Sequence, residues 1–278
     1  VLIVVVTIGM FLHHRIQLSR EVLTPPGEMV TVDEKTIHAF TKGEGDRTFV
    51  FLSGHGTPSP YVDFKPLWEP LSEEAKIVVI ERPGYGFSES TNDARVTSIL
   101  LKESREVLEY LNIKGTYVLI AHSMAGLEAL LWADLYPEEV EAVIGLEAIT
   151  PNYVLETLEK PSSLWLNTMR FISRIGLSRF MPEEDKEVMF PILTHPIVTE
   201  DDKTIYLSNF YRQAYSRPVI NEMRYLRSNA EFLDDALTFE NVPILMIAEE
   251  TNEDYIGAIM SFKEDFSSIE IIQLSGTH

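Results

Sequence analysis

The chain has 278 residues, 45% of them hydrophobic and 24% charged, which is ordinary globular composition and enough for one large domain or a domain with an insertion. Its 43 acidic against 23 basic residues leave a net charge of −20, a surface expected to repel nucleic acid and anionic lipid headgroups. The absence of cysteine excludes disulfides, thiolate metal sites, a cysteine nucleophile and a lipid-modified cysteine.

The sequence opens on "VLIVVVTIGMFL", an unbroken apolar run followed by His13-His14-Arg15. Twelve helical residues cover about 18 Å, short of a hydrocarbon core of about 30 Å. With residues upstream, the run is the second half of a spanning helix, and no small-residue cleavage site follows it. Residues 1–27 therefore read as a truncated N-terminal anchor (1–12) and a juxtamembrane spacer, "HHRIQLSREVLTPPGE", ahead of a soluble domain. The competing reading is a buried strand or core helix. Membrane sidedness needs the flank upstream.

Next come strand-like and helix-like segments in alternation. "EMVTVD" and "TIHAFTKGEGD" read as two short strands, and "RTFVFLSG" as a buried strand followed by the loop "HGTPSP". A helical stretch around Phe64 to Leu71 leads to the strand and turn "AKIVVIERPGYG". In "VTSILLKESREVLEYLNIKG", Leu100, Ser104, Val107, Leu108 and Leu111 share a helix face, with Gly115 as the expected stop. "YVLIAHSMAGLEALLWA" is a strand, turn and helix, and "VEAVIGLEAI" is a further strand. From Pro151 to about Glu240 the pattern is helical, interrupted by prolines. The alternation then resumes with "VPILMIAEE", a helix through about Ile256 to Phe266, and "IEIIQLSG". The implied architecture is α/β: a doubly wound, mostly parallel sheet with helices on both faces and a helical insertion after the sixth strand. Residues 28–150 and 236–278 form the core, and 151–235 the insertion.

Ligands of such sheets bind beyond the carboxyl ends of the strands, so the residues just after each strand are the candidates. Ser123 sits in "AHSMAG". It is either a helix-capping serine or a nucleophile on a strained elbow, where small neighbours such as Ala121 and Ala125 are required. A capping box needs Glu or Gln three residues on, and Gly126 stands there. A serine nucleophile generates an oxyanion that needs two N–H donors. Met124 supplies one and Thr57, in "SGHGTP", the other, unless that loop is a plain Gly/Pro turn. Glu147 ends an apolar strand, where a carboxylate is costly to bury without a partner. It is either the acid that orients a histidine or a solvated strand-end carboxylate. Of seven histidines, only His278 follows a late strand at the right edge, and Ser…acid…His is the order this topology uses. His122 adjoins the serine, so its side chain is expected to project away. His278 is the last residue given, which suggests that the piece stops at its base and lacks a closing helix.

Together "HGTP", "ERPGYGFS", "AHSMAG" and the terminal "GTH" resemble the α/β-hydrolase family over roughly Val30 to His278. The resemblance implies a helical cap over the site and a structural "ERPGYGFS" loop in which Glu81 replaces the family's aspartate. It also implies a serine hydrolase needing no metal or organic cofactor, most readily a carboxylesterase working through an acyl-enzyme on a small-molecule ester or amide. Many members place the acid in the turn after the penultimate strand. That position is Asn252 here, with Glu253 and Asp254 just beyond as alternative acids, whereas other members use the position of Glu147. Dehalogenases and epoxide hydrolases of this fold use an aspartate nucleophile, which Ser123 opposes. An aminopeptidase-like or carbon–carbon bond hydrolase keeps the same triad. Glu183, Glu184 and Asp185 are either an amine-holding cluster or an ordinary helix start. A non-catalytic binding protein on this fold is the reading that Asn252 favours. Trp165, Met169, Phe171, Phe180, Met181, Met189 and Phe190 are apolar cap residues, either cap core or the lining of an acyl pocket.

Overall fold

The computed structural model describes residues 1–238, 242–266 and 268–276. In chain order these form α1 (Leu2–Arg20), β1 (Glu28–Val32), β2 (Lys35–Lys42), β3 (Thr48–Leu52), α2 (Pro60–Asp63), α3 (Lys65–Leu71) and β4 (Lys76–Glu81). Then come α4 (Thr97–Tyr110), β5 (Tyr117–His122), α5 (Ala125–Leu135) and β6 (Val140–Leu146). The insertion holds α6 (Pro151–Glu156), α7 (Ser163–Arg174), α8 (Glu183–Met189), α9 (Glu200–Gln213) and α10 (Arg217–Ala236), and the core closes with β7 (Ile244–Glu249), α11 (Glu253–Asp265) and β8 (Ile269–Leu274).

The strands make one eight-stranded sheet in the order β1-β2-β4-β3-β5-β6-β7-β8. The β1–β2 and β2–β4 pairings are antiparallel, and every later pairing is parallel. The helical insertion follows the sixth strand, as expected. Side chains alternate cleanly across the central strands. Val50, Leu52, Val78, Ile80, Leu119 and Ala121 join the core formed with α4, α5, α10 and α11. Phe51, Ile77, Val79, Val118 and Ile120 face the other way, onto Phe64 and Trp68. Burial on both faces is why these strands read as unbroken apolar runs.

Three boundaries differ from the sequence reading. Helix α4 ends at Tyr110, five residues before Gly115. Asn112 takes the left-handed conformation (φ 53°), with Asn112 N–H donating to Glu109 C=O and Ile113 N–H to Leu108 C=O. This is a Schellman motif, in which asparagine substitutes for glycine at C′. Helix α1 runs 19 residues, through half of the expected spacer, and at 1.5 Å per residue spans about 28 Å. It is long and apolar enough to cross a membrane by length and composition, with mean hydropathy 1.4 and almost no burial, which removes the core-helix alternative. Its polar end is fastened to the insertion. Arg179 donates to His14 Nδ1 at 2.9 Å and pairs with Glu21 at 2.6 Å. At the far end of the insertion, α10 buries Glu222, Leu226, Asn229, Ala230 and Leu233 in the core. The core thus resumes earlier than residue 236.

Candidate active site

The elbow at Ser123 is built from backbone strain and small neighbours. Ser123 has φ 51°, a left-handed conformation unfavourable for a residue with a Cβ. It is held there by its N–H donating to Leu146 C=O (3.1 Å) and its C=O accepting from Gly126 N–H (3.0 Å) and Ile149 N–H (2.9 Å). Ala121 and Ala125 are fully buried on either side. A Cβ at Gly126 would lie 2.4 Å from Ile149 C=O, so only glycine lets α5 approach β6 here. The residue capping α5 is Met124, without a side-chain cap bond, so Ser123 is not a helix cap.

The loop after β3 closes over the elbow. A Cβ on Gly54 would stand 3.0 Å from Ser123 Cβ and 2.7 Å from His122 Nδ1. Among the described residues, the backbone N–H groups of Thr57 and Met124 have no hydrogen-bond partner. Both remain available as oxyanion donors. The Thr57 hydroxyl donates to Gly54 C=O, bracing the turn. Gly54→Ala should therefore abolish turnover while keeping the fold, a result to be read from activity beside an unchanged far-UV spectrum. Retained activity would mean that the loop can retreat from the serine.

Beneath the loop lies a buried charge cluster that the sequence reading missed. Glu222 on α10 accepts from Tyr85 Oη (2.5 Å) and Arg82 (3.4 Å) and lies 3.7 Å from Arg95. Arg82 also donates to Gly54 C=O and contacts Glu128, whereas Tyr85 Oη accepts from Gly56 N–H. Arg95 pairs with Glu103, which also takes Lys35. Burial lowers the Arg82 pKa, but Glu222, Tyr85 and Glu128 outweigh it and hold the guanidinium charged. Burial pushes the Glu128 carboxyl up, against the pull of Arg82 and Ser104. The "ERPGYGFS" loop is structural, as the resemblance implies. The Glu81 carboxylate accepts from Phe87 N–H, Tyr61 N–H and Ser59 Oγ and bonds His38 Nδ1, with Gly86 packed directly against it.

Glu147 is 8% exposed and, like Ser123, holds a left-handed backbone (φ 43°). Its Oε1 accepts from Glu249 N–H at 3.2 Å, with the Asn252 amide at 3.5 Å. It lines a cavity of about 230 Å³ with His122, Ile247, Glu249 and the end of β8, Leu274 to Gly276. His122 therefore faces this cleft. The next two residues are Thr277 and His278, and the candidate base His278 lies outside the described residues. Glu253 and Asp254 sit exposed in the first turn of α11, where they favour the helix N-terminus. Asn252 caps that helix by accepting from Tyr255 N–H while its amide reaches Glu147.

The other histidines have structural surroundings. His38 binds Glu81, and His55 bonds Val219 C=O, its pKa lowered by burial. His14 meets Arg179, His13 stacks near Phe180, and His195 is exposed in the insertion.

A larger cavity of about 690 Å³ opens from His55 and Gly56 into the insertion. Trp165, Met169, Phe180, Met181, Met189 and Phe190 line it, so these residues are cavity wall rather than sealed core. Phe171 points elsewhere and is 55% exposed. Asp185 also reaches the cavity, and Glu183 instead pairs with Lys186.

A strained serine elbow on a mostly parallel eight-stranded sheet, with a helical cap after β6, defines an α/β-hydrolase. The alpha/beta hydrolase fold family matches residues 47–170. An uncharacterized protein of Bacillus subtilis (strain 168), YbdG, is 30% identical over all of this chain and 88% of its own length. The chain belongs to the α/β-hydrolase fold family. Similar solved structures include epoxide hydrolase VrEH1 from Vigna radiata (TM-score 0.63, 20% identity, 90% of each chain). Another is Est816, described as an N-acyl homoserine lactone degrading enzyme (TM-score 0.64, 15% identity, 89% of this chain and 92% of that one).

Proposed function

We propose that this protein is a membrane-anchored serine hydrolase that cleaves carboxylic esters through an acyl-enzyme. The observation that carries the reading is Ser123 on a left-handed elbow, with Gly54 of the loop after β3 packed against it and the N–H groups of Met124 and Thr57 unbonded among the described residues. Ser123 Oγ attacks the ester carbonyl carbon as His278 takes its proton, and the Met124 and Thr57 N–H groups hold the oxyanion. Collapse of that intermediate expels the alcohol, which receives the proton from His278. Water, activated by the same histidine, then releases the acid and restores the serine. Glu147 orients the histidine and stabilises its charged form. Its support is position, since it shares a cleft with the strand end that leads into His278.

The chemistry of the nucleophile separates esters from epoxides. A carboxylate that opens an epoxide forms an ester, which water can cleave. A serine would form an ether, which it cannot. Ser123 therefore fits acyl substrates, lactones included. The apolar cavity that starts at the oxyanion loop fits their acyl chain. Helix α1 supports the anchor: it is exposed, apolar and 19 residues long.

The direct test is a serine-directed fluorophosphonate on the folded chain, followed by esters graded from acetate to laurate, a lactone and an aminoacyl anilide. Labelling at Ser123 that is lost in Ser123→Ala, with kcat/KM rising with acyl length, is expected. An unlabelled Ser123 overturns the reading. Asp185 in the cavity wall favours a second reading, an aminoacyl amide held by its amine. Preference for the anilide, lost in Asp185→Asn, would establish that one instead.

A further inference from the structure

A cavity of about 580 Å³ lies between α1 and the cap, apart from the serine. Five arginines line it: Arg15 from α1, Arg170 and Arg174 from α7, Arg212 at the end of α9, and Arg217 at the start of α10. Among the described residues no carboxylate lines it. Among the described residues none of the five pairs with an Asp or Glu side chain, in a chain whose net charge is −20. Arg212 donates only to the Glu21 backbone C=O and Arg217 to the Asn92 amide oxygen. Such a concentration of like charge is costly unless an anion completes it. The strain is visible at Arg170, whose pKa is lowered by burial and by Arg174, Arg217 and Arg224.

We propose that this cavity binds the phosphate-bearing headgroup of an anionic lipid in the membrane that α1 crosses. Three observations select a lipid over a soluble anion. First, Arg15 comes one helical turn after Phe11 and Leu12, the end of the apolar run, which is the depth at which hydrocarbon gives way to headgroups. Second, Phe11 and Leu18 line the cavity, so the anion site has an apolar margin. Third, Ala214 and Tyr215 line both this cavity and the apolar one that leads to the oxyanion loop. A headgroup held by the arginines therefore sets the cap's apolar cavity against the bilayer. Guanidinium forks match phosphate oxygens in pairs, which an ammonium cannot do.

The inference rests on α1 being a membrane anchor, so the test separates the two. The full chain in neutral detergent micelles is titrated with dioctanoylphosphatidylglycerol, dioctanoylphosphatidylcholine and inorganic phosphate. Binding is followed by Trp165 emission, because Trp165 packs on Tyr215, and by the shift in Tm. The phosphatidylglycerol analogue should bind at least tenfold tighter than the phosphatidylcholine one, with the difference shrinking at high salt. Arg170→Gln/Arg174→Gln should lose at least tenfold of that affinity. Its Tm without lipid should equal or exceed the parent's, since repulsion is relieved. Equal affinity for the two lipids, an unaffected double variant, or phosphate binding as tightly as the lipid would each overturn the proposal. In parallel, the full chain is floated with pure phosphatidylcholine vesicles. Failure to float removes the anchor and the proposal with it. Flotation without lipid selectivity removes the headgroup site alone.

Discussion

Glu147→Gln should lower kcat on a good ester by about 10³- to 10⁴-fold, the scale expected when the acid of such a triad becomes an amide. Glu253→Gln and Asp254→Asn should stay within about twofold of the parent. The contrast follows from placement. Glu147 is buried at the edge of the strand neighbouring the elbow, and the other two are exposed on the first turn of α11. The Asn252 amide, 3.5 Å from Glu147, adds a sharper version. Asn252→Asp alone puts two carboxylates within that distance. They cannot both ionise readily, so the acid limb of the pH–rate profile should move up and neutral activity should fall. Combined with Glu147→Gln, the same substitution moves the carboxylate to the turn that many members of the family use. It should recover at least tenfold of the lost kcat. Full activity in Glu147→Gln, or loss of activity in Asp254→Asn, would reassign the acid.

The elements legible in the sequence are those whose pattern is local. Strands buried on both faces, such as 48–52 and 76–81, read as apolar runs, and an elbow must be bracketed by small residues, as Ala121 and Ala125 are. What escaped reading depends on partners far along the chain. The polar half of α1 has no apolar stripe. It is tied down by a distant partner, Arg179, 165 residues away, which reaches His14. Asn112 carries the left-handed stop that Gly115 seemed better suited to, because the Schellman bonds and not the residue type set the end. Asn252 looked like a missing acid, and its amide instead touches the Glu147 carboxylate. The arginine cavity draws on four helices, each of which contributes one or two arginines that look unremarkable alone.

Glu222→Gln should lower Tm by about 10 °C and, where the protein is still folded, kcat by about tenfold. Glu222 is nearly inaccessible, and its carboxylate faces Arg82, Arg95 and the Tyr85 hydroxyl. The buried cluster balances Lys35, Arg82 and Arg95 against Glu103, Glu128 and Glu222. Glutamine keeps shape and can still accept from Tyr85, but leaves one cation uncompensated in the interior. Breaking such a pair costs about 3–5 kcal/mol, and in a chain of this size about 3 kcal/mol is roughly 6–12 °C. The loss of kcat has a separate cause. Arg82 pins Gly54 C=O and Tyr85 pins Gly56 N–H, so Glu222 on α10 fixes the loop that carries the Thr57 donor. Replacing Arg82 and Glu222 together with Met and Leu removes both charges, so part of the Tm should return, since apolar substitutes can match a buried pair. Turnover should not return, because the Gly54 pin is gone. Recovery of both together would mean that the cluster supports the fold without positioning the oxyanion loop.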